Sequence, residues 1–166
     1  MAQDVTIYDF EPNQNLNDWD IVNDGVMGGL SQSSIHLNDD GNAVFTGKIS
    51  LENNGGFASV RHQTTIKHVQ DYTHVNLRVK GKPSTYQFRI KKSGEEEVAS
   101  YVQEFEVTSE WKTIQLKLSA FSPRYRGRTL NLPDFEADVI REVAFLIGNK
   151  KAEEFQLEID KVYLTK

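Results

Sequence analysis

Apolar and polar residues alternate with a period of two along most of this chain. The regular apolar positions are Val75, Leu77 and Val79; Tyr86, Phe88 and Ile90; Tyr101, Phe105 and Val107; Ile114, Leu116 and Leu118; and Phe155, Leu157 and Ile159. Residues two apart point to the same side of a strand, so these stretches predict half-buried antiparallel strands.

Shorter apolar segments extend the pattern toward the start of the chain. They predict strands at 6–10, 19–23, 34–37, 43–51 and 57–62. The continuous apolar run 143–147 is typical of a central strand that is buried on both faces. Val162 and Leu164 are out of phase with Ile159, which predicts a β-bulge between them.

Segment 133–141 is the one candidate helix. Pro133 and Asp134 suit the first turn, and Phe135 and Val139 are four residues apart. Such a helix has about two turns.

The number and spacing of these elements predict the fold class. Many short strands with at most one short helix indicate an all-β protein, an antiparallel two-sheet β-sandwich of the jelly-roll type. A closed barrel is the alternative. The chain shows no internal repeat and no linker-like change of composition, so we expect one domain over residues 1–166.

Asn54-Gly55 is the strongest local turn signal. This pair favours a two-residue type I′ hairpin that joins the strands at 43–51 and 57–62. The resulting register sets Lys48 opposite Arg61. Because like charges directly opposite are unfavourable, either both side chains extend into water or a carboxylate or bound anion lies between them.

A second glycine-rich loop, residues 24–31, precedes the hairpin. It contains three glycines and Met27, and such a loop can adopt positive φ and allow a backbone or ligand to approach closely. We predict that the two glycine-rich loops meet in space, with Asp24 as the carboxylate partner of Arg61.

Composition removes several classes of function. The chain has no cysteine, which excludes disulfides, thiolate metal sites and cysteine nucleophiles. A formal net charge of −5 disfavours broad binding to nucleic acid or anionic lipid. The start at Met1 shows no basic segment followed by an apolar run, and no stretch approaches ~18 apolar residues. We expect a soluble, cytoplasmic protein without nucleic-acid partners or direct membrane insertion.

The sequence carries no strong catalytic or metal signature. It lacks the G-x-S-x-G, Walker A and H-E-x-x-H motifs, and His62 and His68 are unpatterned as metal ligands. The turn at 38–42 has the oxygen chemistry of a Ca²⁺ loop without its spacing, so a solvated turn is favoured. We therefore predict no cofactor and no enzyme activity, although a pair of acid–base carboxylates is a spatial feature that the sequence does not reveal.

Arginines and tryptophans supply the remaining candidate contacts. The stretch 124–128, RYRGR, could grip phosphate and stack bases, but the chain offers no extended basic groove, so a structural or protein-contact role is favoured. Trp19 and Trp111 suit either core anchors or platforms for sugar rings, and their positions at strand starts favour the core.

Two ordered motifs resemble the complex I intermediate-associated protein family. They are Trp19 with NDGVMGGLS at 23–31, and F-x-G-x-ISLENNGGFASVR at 45–61; Trp111, FSPRYRGR at 121–128 and F-x-L-x-I at 155–159 are similar as well. The resemblance implies a galactose-binding-domain-like jelly roll. It also implies a non-enzymatic, chaperone-like role, since the mitochondrial members assist assembly of respiratory NADH:ubiquinone oxidoreductase. This chain lacks a transit peptide, so it looks like a compact prokaryotic relative.

The leading hypothesis is a non-catalytic module that binds a protein partner, such as a subunit of a membrane respiratory complex, through loops at one end of the sandwich. Met27 would give an adaptable apolar contact, the asparagines hydrogen bonds and the arginines an anionic anchor. The candidate residues are Asp24, Met27, Asn53, Asn54, Arg61, Arg124 and Arg126. For Asp24 and Arg61 a purely structural role is slightly favoured, in which Asp24 caps the glycine-rich loop and forms an ion pair with Arg61 within the fold. The alternative function is a carbohydrate-binding module with a sugar ligand on an aromatic platform.

Overall fold

The computed structural model describes residues 4–92, 99–125 and 128–166. Within these residues the chain forms β-strands and four short 3-10 segments but no α-helix. The strands are β1 (Val5–Asp9), β2 (Trp19–Asn23), β3 (Gln32–Leu37), β4 (Ala43–Ile49), β5 (Ala58–Lys67), β6 (His74–Gly81), β7 (Ser84–Lys91), β8 (Ser100–Val107), β9 (Lys112–Lys117), β10 (Ser122–Tyr125), β11 (Arg128–Thr129), β12 (Val139–Ile147) and β13 (Glu153–Thr165).

The strands form two sheets, and all of their pairings are antiparallel. The first sheet has the order β3-β4-β13-β6-β9, and β1 pairs with the second half of β13. The second sheet has the order β11-β10-β8-β7-β12-β5-β2. The predicted all-β, two-sheet antiparallel sandwich is confirmed.

The core lies between the two sheets and follows from the alternating pattern. Its largest fully buried side chains include Phe45, Tyr86, Phe88, Phe121, Phe145 and Phe155. Phe145, on the central strand β12, packs against the rings of Phe88 and Trp19. Each such side chain contributes roughly 1.5–3 kcal/mol by leaving water. Every residue of β12 from 143 to 147 is buried, which confirms the prediction of a strand covered on both faces.

The predicted bulge in the last strand is confirmed. The pairing of β13 with β6 shifts between Ile159 and Lys161. The extra residue, Asp160, accepts a hydrogen bond from the Phe10 amide through its carbonyl oxygen. The bulge lets Ile159 and Val162 both face the core, although they are three residues apart.

The helix predicted over 133–141 is wrong. The Phe135 amide donates to the Phe121 carbonyl at 3.0 Å, and the Phe135 ring lies edge-on to Tyr101. Val139 already begins β12, where it pairs with Lys67 of β5. Hydrogen bonds and core contacts with distant strands therefore replace the local helical bonds of this short segment.

The predicted type I′ hairpin at Asn54-Gly55 is also wrong, because β4 and β5 belong to opposite sheets. Gly55 has a φ of −73°, and the left-handed residues are instead its neighbours Asn53 (φ 56°) and Gly56 (φ 141°). The segment between β4 and β5 thus crosses from the first sheet to the second.

The predicted register, which sets Lys48 opposite Arg61, is therefore wrong as well. Lys48 faces Glu154 of β13 and Gln32 of β3 in the first sheet. Arg61 lies in the second sheet, where its neighbours in register are Asp20 and Ala144.

Candidate functional site

Two connections cross between the sheets side by side at one end of the sandwich. Residues 24–31 lead from β2 in the second sheet to β3 in the first, and residues 50–57 lead from β4 back to β5. Because β2 pairs with β5 and β3 pairs with β4, the two connections begin and end next to each other. We call these two segments the loop junction. The prediction that the glycine-rich loops meet is confirmed.

The carboxylate of Asp24 is the hydrogen-bond acceptor that joins the two segments. Oδ1 accepts from the Ser31 amide at 2.9 Å, and Oδ2 accepts from the Ser31 hydroxyl at 2.5 Å. Oδ2 also accepts from the amides of Gly56 at 2.6 Å and Phe57 at 3.3 Å, across the junction. Asp24 is only 1% exposed, so its carboxylate is shielded from solvent by the two segments.

Ser31 extends this network to the end of β4. Its hydroxyl oxygen accepts a hydrogen bond from the Ser50 amide at 2.9 Å while the hydroxyl donates to Asp24. The main chain adds a bond from the Asp24 amide to the Phe57 carbonyl at 3.2 Å. The side chains of Asp24 and Ser31 thus replace the strand-to-strand bonds that a sheet crossing cannot make.

The pKa of the Asp24 carboxyl reflects two opposing effects. Burial favours the protonated form and would raise the pKa. The hydrogen bonds from the Ser31 hydroxyl and from the amides of Gly56, Ser31 and Phe57 favour the carboxylate form, and together they outweigh the effect of burial. The pKa of Asp24 is therefore lower than that of an ordinary aspartate.

Two glycines leave the space that Asp24 occupies. A β-carbon on Gly29 would lie 2.4 Å from the Asp24 Cγ, and one on Gly55 would lie 2.5 Å from its Oδ2. By contrast, a β-carbon on Gly25 would meet nothing within 4 Å. The glycine-rich composition of these loops is thus explained at two positions by close approach to one carboxylate.

The sequence-predicted residues divide into two groups. Asp24 is buried inside the loop junction, and Asn53 is exposed on it with left-handed backbone. Met27 is the last residue of the 3-10 segment Asp24–Met27, and Asn54 ends the segment Glu52–Asn54.

The arginines do not belong to the junction. Arg61 and Arg124 lie on β5 and β10 of the second sheet, and Arg126 is outside the described residues. The predicted ion pair between Asp24 and Arg61 is wrong, because the Asp24 oxygens are occupied by Ser31, Gly56 and Phe57.

Two exposed leucines on the junction were not predicted. Leu30 is 52% exposed and Leu51 is 44% exposed, and both line one shallow depression together with the buried Ile49 and with Ala152. Polar residues complete the lining, namely Gln32, Lys48, Ser50 and Glu52. The available signal was the presence of a leucine in each of two loops that are otherwise rich in glycine and polar residues.

The two tryptophans differ in their environments. Trp19 is buried and stacks on the His62 ring at 4.9 Å, so the prediction that it anchors the core is confirmed. Trp111 is half-buried, and the charged groups of Arg78 and Lys80 lie 5.4 and 5.1 Å from its ring centre. The core prediction is wrong for Trp111.

Neither a metal centre nor a membrane span is found in the described part of the chain. No three side chains of the His, Cys, Asp or Glu type come close enough there to hold a metal ion. None of the helical segments in those ranges has the length and apolar character needed to cross a bilayer.

The fold is that of jelly-roll carbohydrate-binding modules. The family 11 module of the cellulosomal cellulase Lic26A-Cel5E of Clostridium thermocellum superposes with a TM-score of 0.73 at 16% identity, over 99% of this chain and 95% of that one. A family 11 module from Clostridium thermocellum in complex with a β-1,3-1,4-mixed-linked tetrasaccharide gives a TM-score of 0.72 at 16% identity, over 98% and 95%. The agarase AgWH50C matches with 0.66 at 8% identity, over 99% of this chain but 25% of that chain.

The sequence identifies the family. The family model described as complex I intermediate-associated protein 30 (CIA30) matches residues 8–159. The chain therefore belongs to the CIA30 family. No individual curated protein matches it.

Replacing Asp24 by asparagine should destabilise the fold. The neutral amide cannot accept the same set of bonds, and hydrogen bonds to charged groups contribute roughly 1.5–3 kcal/mol each, so we expect a loss of about 3 kcal/mol or more in the free energy of unfolding. Urea titration at neutral pH measures this loss. The exposed Asp20→Asn variant is the matched control, and an equal effect in both variants would contradict the network.

The loss in the Asp24→Asn variant should also depend on pH. Because the folded-state pKa of Asp24 is lowered, its contribution is fully present above the unfolded value of about 3.8 and is lost as the pH falls through the folded value. The difference in stability between wild type and Asp24→Asn should therefore be constant above about pH 3.8 and shrink as the pH falls further. Parallel curves down to acid unfolding would refute this assignment.

The glycines give a second test, which leaves every charge in place. Gly29→Ala should lower the free energy of unfolding by roughly 2 kcal/mol or more, because its β-carbon overlaps Asp24. Gly25→Ala should change it by less than about 1 kcal/mol, since its site is open. Thermal and urea unfolding of the pair measure the difference, and equal stabilities would count against a close approach at Gly29.

Proposed function

We propose that this protein is a non-catalytic assembly factor that binds a protein partner through the loop junction, the partner being a subunit of a membrane respiratory complex of the NADH:ubiquinone oxidoreductase type. The observation that carries this proposal is the exposed pair Leu30 and Leu51 on two segments that the Asp24 network fixes. Met27, Asn53 and Asn54 belong to the same two segments and are part of the proposed contact surface.

The chemistry of this surface suits a protein partner. Protein interfaces have an apolar centre that loses its water and a polar rim that stays wet. The leucines and Ala152 supply the apolar centre, while Lys48 and Glu52 supply charges of both signs at its edge. Hydrogen bonds to buried Asp24 already fix both segments before a partner binds. The leucines are therefore preorganised, and binding would cost less conformational entropy.

Family membership supports the identity of the partner class. The CIA30 description associates its members with an intermediate of complex I. Both the family and the fold are of a binding type, which supports a role without catalysis.

Carbohydrate binding is the second candidate, favoured by the similarity to a module that was solved with a bound tetrasaccharide. The positions of the tryptophans weigh against it. Trp19 is buried, and two cations lie against the Trp111 ring. A sugar-binding platform needs an aromatic ring whose face is open to the ligand.

The double variant Leu30→Ser with Leu51→Ser should abolish partner binding, because it removes the apolar centre of the surface. Both side chains are about half exposed and neither belongs to the core, so the fold should be retained. Affinity capture from cells of the source organism, with mass spectrometry, measures the subunits of the respiratory complex that co-purify. Leu132→Ser is the control, since Leu132 is similarly exposed (54%) but does not line the depression.

Three results are informative here. Loss of respiratory-complex subunits with the double variant, but not with Leu132→Ser, supports the proposal. Retention of the same subunits by the double variant contradicts it. Saturable binding of a mixed-linked β-glucan oligosaccharide without any respiratory subunit would favour the carbohydrate alternative.

A further inference from the structure

The outer face of the second sheet, which points away from the core, carries arginines in register. Residues that lie directly opposite on antiparallel strands point to the same side of a sheet. Arg61 of β5 faces Ala144 of β12, and Ala144 faces Arg89 of β7. The two arginines are thus two strands apart, roughly 9–10 Å at the backbone, with only a methyl group between them.

A third arginine lies on the same face. Arg89 faces Val102 of β8, which in turn faces Ser122 of β10. Arg124 is two residues beyond Ser122 on the same strand, so it shares the side to which Ser122 and Arg89 point.

No described carboxylate neutralises these three arginines within 4.0 Å. Asp20 is opposite Arg61 in register but forms no ion pair with it. Glu142, the buried carboxylate of this face, is paired with Lys91 at 3.7 Å and accepts a hydrogen bond from Gln63 at 2.5 Å.

The guanidinium groups of Arg89 and Arg124 retain hydrogen-bonding capacity for a ligand. Arg89 donates through Nε (3.0 Å) and Nη2 (2.7 Å) to the Gln87 Oε1, a neutral acceptor that orients the guanidinium without removing its charge. The Nε of Arg124 is buried and has no hydrogen-bond partner. A buried donor without an acceptor costs free energy that a ligand oxygen would recover.

Burial and the two neighbouring positive charges both act on the central arginine. Burial, followed by the charges of Arg124 and Arg61, lowers the pKa of Arg89 to about 10. The surface between the arginine side chains is formed by the apolar residues Ala144 and Val102, which are only 4% and 2% exposed. Charges above such a surface interact more strongly than charges in bulk water.

We propose that Arg61, Arg89 and Arg124 form a binding site for a small multivalent oxyanion, a di- or tricarboxylate or a phosphate ester. Guanidinium groups match carboxylate and phosphate oxygens with paired hydrogen bonds, and three of them favour a ligand with more than one negative charge. This site lies on a sheet face rather than on the loop junction, so it stands independently of the proposed assembly role.

Calorimetric titration of the whole chain with citrate and with pyrophosphate, at constant ionic strength, tests the proposal. Acetate is the monovalent control. We expect saturable binding of at least one multivalent probe, and the tighter probe identifies the ligand chemistry as carboxylate or phosphate. Arg89→Gln should weaken that binding about tenfold to a hundredfold, the loss expected for a hydrogen bond to a charged group.

Two further variants keep the test decisive. Arg61→Gln should weaken binding to a similar extent, and it carries the test if Arg89→Gln does not fold. Arg78→Gln removes the same charge from the other sheet, where Arg78 pairs with Asp160 at 3.2 Å, and should leave the affinity unchanged.

The contradicting results are equally specific. The site is refuted if neither probe binds saturably, or if Arg61→Gln and Arg89→Gln bind as tightly as wild type. It is also refuted if Arg78→Gln weakens binding as much as they do, because the effect would then be one of net charge. Binding of a glutamate-rich peptide alone would assign this face to an acidic protein segment instead.

Discussion

A buried carboxylate fixes the end of this sandwich where the chain passes twice between its sheets. A crossing segment leaves the hydrogen-bonded ladder, so its amides need acceptors that no strand supplies. Asp24 provides them for Ser31, Gly56 and Phe57, and its oxygens lie so close to the backbone that positions 29 and 55 have no room for a side chain. The exposed leucines of the proposed partner surface are held in position by this one network.

Most of the strands could be predicted from the sequence because alternation depends only on which side faces the core, although β10 and β11, in the arginine-rich stretch, were not predicted. The sheet to which each strand belongs could not be predicted. Ile49 and Val60 point inward whether their strands form a hairpin or lie in opposite sheets, so the apolar pattern is the same in both cases. The sheet to which each strand belongs is determined by partners far along the chain. In the first sheet β13 pairs with β4, and in the second sheet β12 pairs with β5. The helix prediction for 133–141 is wrong for the same reason, because the hydrogen-bond partners of this segment are distant in the sequence.

The candidate sites show the same limit. Asp24 was recognised in its glycine-rich context, but its partner was assigned by charge, whereas the actual partners are amides and a hydroxyl, which composition does not reveal. Arg89 was missed because a single charged residue at an outward position of a regular strand is typical of a solvated face. Only the strand order brings it between Arg61 and Arg124, where like charges and an unpaired donor indicate a ligand.

The central claim, that ionised Asp24 accepts the amides of both crossing segments, is tested most directly by NMR titration of its carboxyl carbon together with the amides of Ser31, Gly56 and Phe57. We predict a midpoint below the ordinary value of 3.8, with the three amide resonances shifting at that same midpoint. A carboxyl midpoint at or above 3.8, or amides of Gly56 and Phe57 that do not respond to it, would contradict the account.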